Sequence, residues 1–210
     1  NISGWVINCY TIIDLCKMYG PIEEWDTSFV EDMTSLFDNY QHFNSDISKW
    51  DVSSVKHMNN MFRYCYEFNQ PLEMWDVSSV EDMSYMFAYA ISFNQPLEMW
   101  DVSNVKCTNS MFHNTTSFNQ PLGCWDVRNV SNTGGMFAYT ARFDQPLGTW
   151  DMSSVTKMNG MFESATCFNQ NLNDWNVQKV KDMSYIFYNK VFSEPITKWI
   201  IDPRANTTNM

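Results

Sequence analysis

The sequence predicts a repeat solenoid, with short parallel β-strands on one face and short helical or 3₁₀ turns on the other. The coil is expected to be right-handed and closed by an N-terminal capping helix. Three observations carry the prediction. Tryptophan stands at 25, 50, 75, 100, 125, 150, 175 and 199, so six gaps are 25 residues and the last is 24. Two phenylalanine columns keep that register: Phe43, Phe68, Phe93, Phe118, Phe143, Phe168 and Phe192 before each Trp, and Phe37, Phe62, Phe87, Phe112, Phe137, Phe162 and Phe187 after it. The phrase FNQPLEMWDVS fills residues 68–78 and again 93–103. A fixed period of this kind marks one supersecondary unit that cannot bury its apolar face alone and stacks on copies of itself. Right-handedness follows from the rule for parallel β connections.

The elements follow in chain order. Residues 4–19, GWVINCYTIIDLCKMY, place Trp5, Cys9, Ile12, Ile13 and Cys16 on one helix face, and Gly20 with Pro21 ends the helix. Residues 1–21 are therefore read as the cap, 22–202 as a solenoid of about seven 25-residue repeats, and 203–210, PRANTTNM, as a frayed tail. Within a coil, Pro71 favours extended geometry, and Trp75 and Val77, two apart, face the core from a short strand. Ser78 with Glu81 gives a capping-box pattern, and Val80, Met83, Met86 and Phe87 recur at helical spacing. An irregular return carries Asn and Gln. Thr108 and Thr133 stand where other coils have a core Met, and Gly134 and Gly135 follow, so a local change of curvature is expected through 105–137.

Composition narrows the function classes. With 210 residues, 44% hydrophobic and 16% aromatic, the chain has ample apolar surface for a core, unlike a disordered segment. A net charge of −11 without a Lys/Arg cluster argues against a nucleic-acid or anionic-membrane partner. No apolar run is long enough to span a bilayer. The chain begins at Asn1, which leaves a removed signal open. Of the six cysteines, Cys65, Cys107, Cys124 and Cys167 fall in four different repeat columns, where a bridge between adjacent coils would repeat one column, and Cys9 and Cys16 share a helix face, so free thiols in a reducing compartment are expected.

Four groups of residues qualify as sites. The Asp after each Trp (Asp26, Asp51, Asp76, Asp101, Asp126, Asp151, then Asn176) could line up carboxylates for cations, but D-V-S is also a turn pattern in which the side chain accepts an N–H two residues on, and that reading is preferred. The Asn after Phe reads as an amide ladder that satisfies backbone groups of the neighbouring coil. Glu73, Met74, Glu98 and Met99 depart from the residues at those places in most other coils and form an acidic and apolar patch over two coils. Tyr64, Tyr89 and Tyr139 share one column, and Tyr85 shares another with Tyr185. Aligned aromatics of this kind are either half-buried filler or a surface for a protein or sugar. His42, His57 and His113 occupy three different columns, and neither a metal-ligand cluster nor a phosphate-binding glycine loop is present. No catalytic residue, metal site or cofactor is expected.

The units FNQPLxxWDVSxVxxMxxMF at 68–87, 93–112, 118–137 and 143–162, with looser copies over about 22–199, resemble the BspA-type leucine-rich-repeat surface proteins, also called the mycoplasma-type lipoprotein repeat. The resemblance implies a leucine-rich-repeat-like solenoid, found on bacterial surfaces and in proteins of large DNA viruses and some protists, with adhesion or partner binding as the common inference. The chain shows no lipoprotein signal or cell-wall anchor, which favours an intracellular or virion-associated setting, or the cell surface if such a segment has been removed. The expected function is a non-enzymatic protein-interaction or adhesion module, with a protein or glycan partner. The alternative is a structural or assembly component that self-associates.

Overall fold

A computed structural model describes the backbone from residue 12 and side chains from residue 16, through residue 210. The 25-residue period is the period of the fold: each coil lies on the next, and parallel bridges run Asp32, His57, Asp82, Cys107, Asn132, Lys157, Asp182, Asn206. These are isolated bridges. Among the described residues the regular elements are one α-helix, α1 (Ile12–Tyr19), and one 3₁₀ turn, Ile22–Glu24. The predicted strand-and-helix solenoid is therefore corrected. No sheet is present among the described residues, and the right-handed crossover rule, which needs parallel strands, no longer applies.

The coil is instead a polygon of β-turns. In the third coil, backbone N–H groups reach back three residues from Trp75 to Leu72, Val80 to Val77, Met86 to Met83, Ala88 to Tyr85, Ala90 to Phe87 and Phe93 to Ala90. Most first and last residues of these turns are core residues. This is why the apolar spacing of three imitates a helix: a β-turn closed from i to i+3 gives the same offset. Trp75 and Val77 are both buried, as a strand would have them, but one closes a turn and the other opens the next.

The backbone ladder between coils lies on the segment that reads as helical. Met83, Tyr85, Phe87 and Tyr89 donate N–H groups to the carbonyls of Cys107, Asn109, Met111 and His113 at 2.7–3.0 Å. The intervening N–H groups of Met86, Ala88 and Ala90 close turns, and that of Ser84 is accepted by the Asp82 side chain at 2.8 Å. Every N–H from 83 to 90 thus has an acceptor, as a packed backbone requires. A strand cannot form there because two residues per coil are left-handed. One column is Ser35, Asn60, Tyr85, Ser110, Gly135, Gly160 and Tyr185, the other Asn39, Tyr64, Tyr89, Asn114, Tyr139, Ser164 and Asn189, with φ between 53° and 65°. Positive φ at the third residue of a turn is the type II pattern, and it interrupts both helix and strand geometry.

The core is a set of vertical stacks. Within a coil the two Phe rings lie face to face (Phe87 and Phe93 at 4.1 Å), and between coils Phe87 meets Phe112 at 5.7 Å. From Trp50 to Trp199, each indole N–H donates to the carbonyl of the Leu or Ile that precedes the previous Trp: Trp100 to Leu72 and Trp125 to Leu97, both at 2.9 Å. A hydroxyl or thiol in the small-residue column does similar work, with Cys65 donating to the Phe37 carbonyl at 3.0 Å and Thr115 to that of Phe87 at 2.6 Å.

Two expectations at the ends are revised. Residues 4–11 of the capping helix predicted over 4–19 lie outside the described residues, and among the described residues no solenoid with a capping helix is seen. Helix α1 has eight residues and ends at Gly20 (φ 85°), and of its described side chains Cys16 packs on the core while Met18 and Tyr19 are exposed. Trp5 and Cys9 lie outside the described residues. The tail at 203–210 adds a last rung instead of fraying, since Met183 and Tyr185 donate to Asn206 and Thr208 at 2.9 and 2.8 Å.

The expected change of curvature at 105–137 is also absent. The bridges run unbroken through Cys107, Asn132 and Lys157, and the Phe column steps by 5.7, 5.7 and 5.8 Å from Phe87 to Phe162. Coil rise is set by the backbone ladder and the ring stack, which a threonine in the Met column leaves intact. The cost appears as a buried hydroxyl without a hydrogen-bond partner, Thr108 Oγ1. Thr108→Val keeps the shape and removes that group, so it is expected to raise stability by about 1–3 kcal/mol in urea denaturation. A loss of stability would show that the hydroxyl is satisfied in solution.

Candidate functional site

The left-handed columns decide where the tyrosines point their cost. Gly and Asn tolerate positive φ and, with three Ser, fill most of these places, whereas a bulky side chain there is an outlier. Tyr64, Tyr85, Tyr89, Tyr139 and Tyr185 nonetheless occupy them at φ 58–62°. The structure gathers three of the five into one stripe. Tyr64 stacks on Tyr89 at 4.6 Å, Tyr89 meets His113 at 5.2 Å, and His113 meets Tyr139 edge-on at 5.4 Å. His113 is the member that column counting misses. Asn114 holds the left-handed place in that coil, and the residue before it supplies the ring. The interruption of the Tyr column at Asn114 was the available signal.

Charges close both ends of the stripe. The Arg63 guanidinium lies 5.5 Å from the Tyr64 ring centre and is gripped by both Asp38 oxygens, at 2.9 and 2.6 Å. At the other end the Tyr139 hydroxyl donates to Glu163 Oε1 at 2.7 Å. That hydrogen bond, with burial adding to it, pushes the Tyr139 phenol above its ordinary range. Burial pulls the His113 imidazole below its ordinary value, with Glu163 opposing. Tyr85 stands on the other left-handed column, 40% exposed, and the Asp38 hydrogen bonds hold the Arg63 guanidinium above its ordinary range.

The second candidate patch is placed elsewhere on the coil. Met74 and Met99 are each 83% exposed, and Glu73 and Glu98 are exposed beside them, in the turns that close at Trp75 and Trp100. Among the described residues no hydrogen bond or ring contact joins this patch to the tyrosine stripe.

The Asp and Asn columns have structural work. Asp76 Oδ1 accepts the Ser78 N–H at 3.1 Å and its hydroxyl at 2.6 Å, and the pattern recurs at Asp26 and Asp51. The serine hydrogen bonds hold the Asp26, Asp51, Asp101 and Asp151 carboxyls below the usual carboxylate range. In the amide ladder, Asn69 Oδ1 accepts the Asn94 N–H at 2.9 Å and the Gln95 amide at 3.1 Å. Among the described residues no group of three or more His, Cys, Asp or Glu side chains gathers as a metal-ion site, Cys16, Cys65, Cys107, Cys124 and Cys167 are free thiols, and no helix is long and apolar enough to cross a membrane.

With the coil and its columns in place, comparison with known proteins becomes informative. The family described as "Mycoplasma protein of unknown function, DUF285" matches residues 8–124 and again 108–210. The chain belongs to this family. The two matched stretches overlap within the repeat array, as expected of a motif that recurs along the chain. Membership agrees with the mycoplasma type of repeat that the FNQPLxxWDVS units resemble, and with an interaction module only in a general sense. No curated protein matches the chain.

Proposed function

We propose that the chain is a non-enzymatic interaction module whose recognition face is the stripe of Tyr64, Tyr89, His113 and Tyr139, flanked by Arg63 and Glu163, and whose partner is a protein. One observation carries the reading. Tyrosine sits at left-handed positions that Asn, Ser and Gly fill in other coils, and strain of this kind clusters at functional sites. Stacking between Tyr64 and Tyr89 returns part of the cost, but the stripe gains nothing for the core, which is completed by Phe and Trp. The choice between protein and sugar rests on ring orientation. Tyr64 and Tyr89 lie nearly parallel, 26° apart, so each covers one face of the other, and Arg63 and His113 stand against Tyr64 and Tyr89 at 5.5 and 5.2 Å, which leaves little open ring face beside the edges. Sugars stack on open ring faces, whereas tyrosine edges with Arg and Glu alongside fit a protein interface.

The chain itself supplies the test. Asn occupies the same column at Asn39, Asn114 and Asn189, so a Tyr64→Asn, Tyr89→Asn, Tyr139→Asn variant keeps the left-handed backbone and removes the rings. Its thermal unfolding is expected to stay within a few degrees of the parent, while partner capture in cross-linking falls about tenfold or more. Equal capture by the triple variant and the parent would overturn the reading.

A further inference from the structure

One edge of the array carries most of the net charge. In every coil the two residues before Trp and the one after it lie at the surface, while from Trp50 onward the indole between them is buried. From 23–26 to 197–200 these stretches read EEWD, SKWD, EMWD, EMWD, GCWD, GTWD, NDWN and TKWI. They hold 11 of the chain's 24 acidic residues and 2 of its 13 basic ones, which leaves the rest of the chain nearly balanced, 13 against 11. Of those two bases, Lys198 is held by Asp174 at 2.6 Å. Among the described residues Glu73, Asp76, Glu98 and Asp101 take part in no salt bridge. The two EMWD coils add apolar surface. Met74 and Met99 are each 83% exposed, whereas Met58, Met61, Met83, Met86 and Met111 are fully buried. The backbone beneath the exposed pair is fixed in register, because Trp75 and Trp100 close their turns at 3.1 Å and the Trp100 indole is bonded to the coil before.

We propose that this edge binds a basic amphipathic helix of a partner protein, laid along the array with its apolar stripe on Met74 and Met99 and Lys or Arg on its flanks. Three features select that occupant. Trp rings of successive coils step by 6.4 Å from Trp125 to Trp150 and by 6.3 Å from Trp175 to Trp199. A helix advances about 6 Å over four residues, so apolar side chains at i and i+4 match one coil each. Exposed Met is unbranched and flexible, and adapts to apolar side chains of varied shape. In both coils a Glu precedes the Met and an Asp follows the Trp, so carboxylates border the apolar pair and attract a cationic partner. A second copy of the chain would bring the same acidic edge and be repelled. The edge is separate from the tyrosine stripe, and the two readings stand or fall independently.

The experiment is a titration of the full chain with a helix-forming Leu/Lys peptide, its leucines at i, i+3, i+4 and i+7, followed by the ε-methyl resonances of Met74 and Met99. Both resonances are expected to shift together, and affinity to fall as salt is raised. The pair Met74→Thr, Met99→Thr and the pair Glu73→Gln, Glu98→Gln are each expected to weaken binding about tenfold or more. All four side chains are exposed and Thr149 already holds the Met position in another coil, so both variants keep the fold. The Tyr64→Asn, Tyr89→Asn, Tyr139→Asn variant is expected to bind the peptide as the parent does, which separates this edge from the tyrosine face. Unmoved methyl resonances, or affinity that the Thr pair leaves unchanged, would overturn the proposal. So would equal binding of a Leu/Glu peptide, or of a Leu/Lys peptide scrambled to have no apolar face. Methyl shifts on concentrating the chain alone would place a second copy on the edge and overturn it as well.

Discussion

Phe112→Ala is expected to lower stability by about 3–5 kcal/mol, the usual range for removing a buried aromatic ring. The position is chosen because the ring is a junction. It lies 4.1 Å from Phe118 in its own coil, 5.7 Å from both Phe87 and Phe137 in the flanking coils, and 6.5 Å from Trp125. Its loss breaks the vertical stack in the middle of the array, where no end can relax into the gap. Stability in a repeat array is a sum of unit and nearest-neighbour terms, so a weakened central interface also weakens cooperativity. The readout is urea denaturation followed by circular dichroism and by tryptophan fluorescence. A single transition shifted by less than about 1 kcal/mol would mean that the stack closes over the missing ring.

Trp100→Phe is expected to cost about 2–3 kcal/mol, from a different physical source. Phe is apolar and aromatic, so burial is largely kept. What disappears is the indole N–H that reaches Leu72 of the preceding coil at 2.9 Å. The same carbonyl accepts the Trp75 N–H at 3.1 Å, so it joins a turn within one coil to a ring in the next. Hydrogen exchange reads this directly: the Trp75 amide is expected to lose protection along with the Trp100 coil. If only the mutated coil opened, the indole would be filler rather than a staple. The strict recurrence of Trp, with no Phe or Tyr in its place, has this cause.

Much of the architecture was legible from residue columns. Burial of Phe87, Trp100 and Val105, exposure of Met74 and Met99, and the amide ladder through Asn69 and Asn94 follow from asking which residues recur and which change. Secondary structure within the coil was not legible. Apolar residues three apart are shared by helices and by consecutive β-turns, and apolar residues two apart are shared by strands and by the junction of two turns. The cue that separates them is the pair of columns that accept Asn, Ser and Gly. That cue was masked by the tyrosines, which are poor indicators of positive φ. The same masking hid the site, since His113 joins the stripe from a neighbouring column.

The sequence by itself determined the period, the identity of the core columns and the residues free to vary, because stacking identical units forces identical residues onto every interface. Tertiary structure alone decided the backbone conformation and the company the variable residues keep. Local patterns leave turn, helix and strand nearly equal in energy. The backbone hydrogen bonds between coils, most of them 24 or 25 residues apart in sequence, break that tie, and they also bring Tyr64, Tyr89, His113 and Tyr139 into one line.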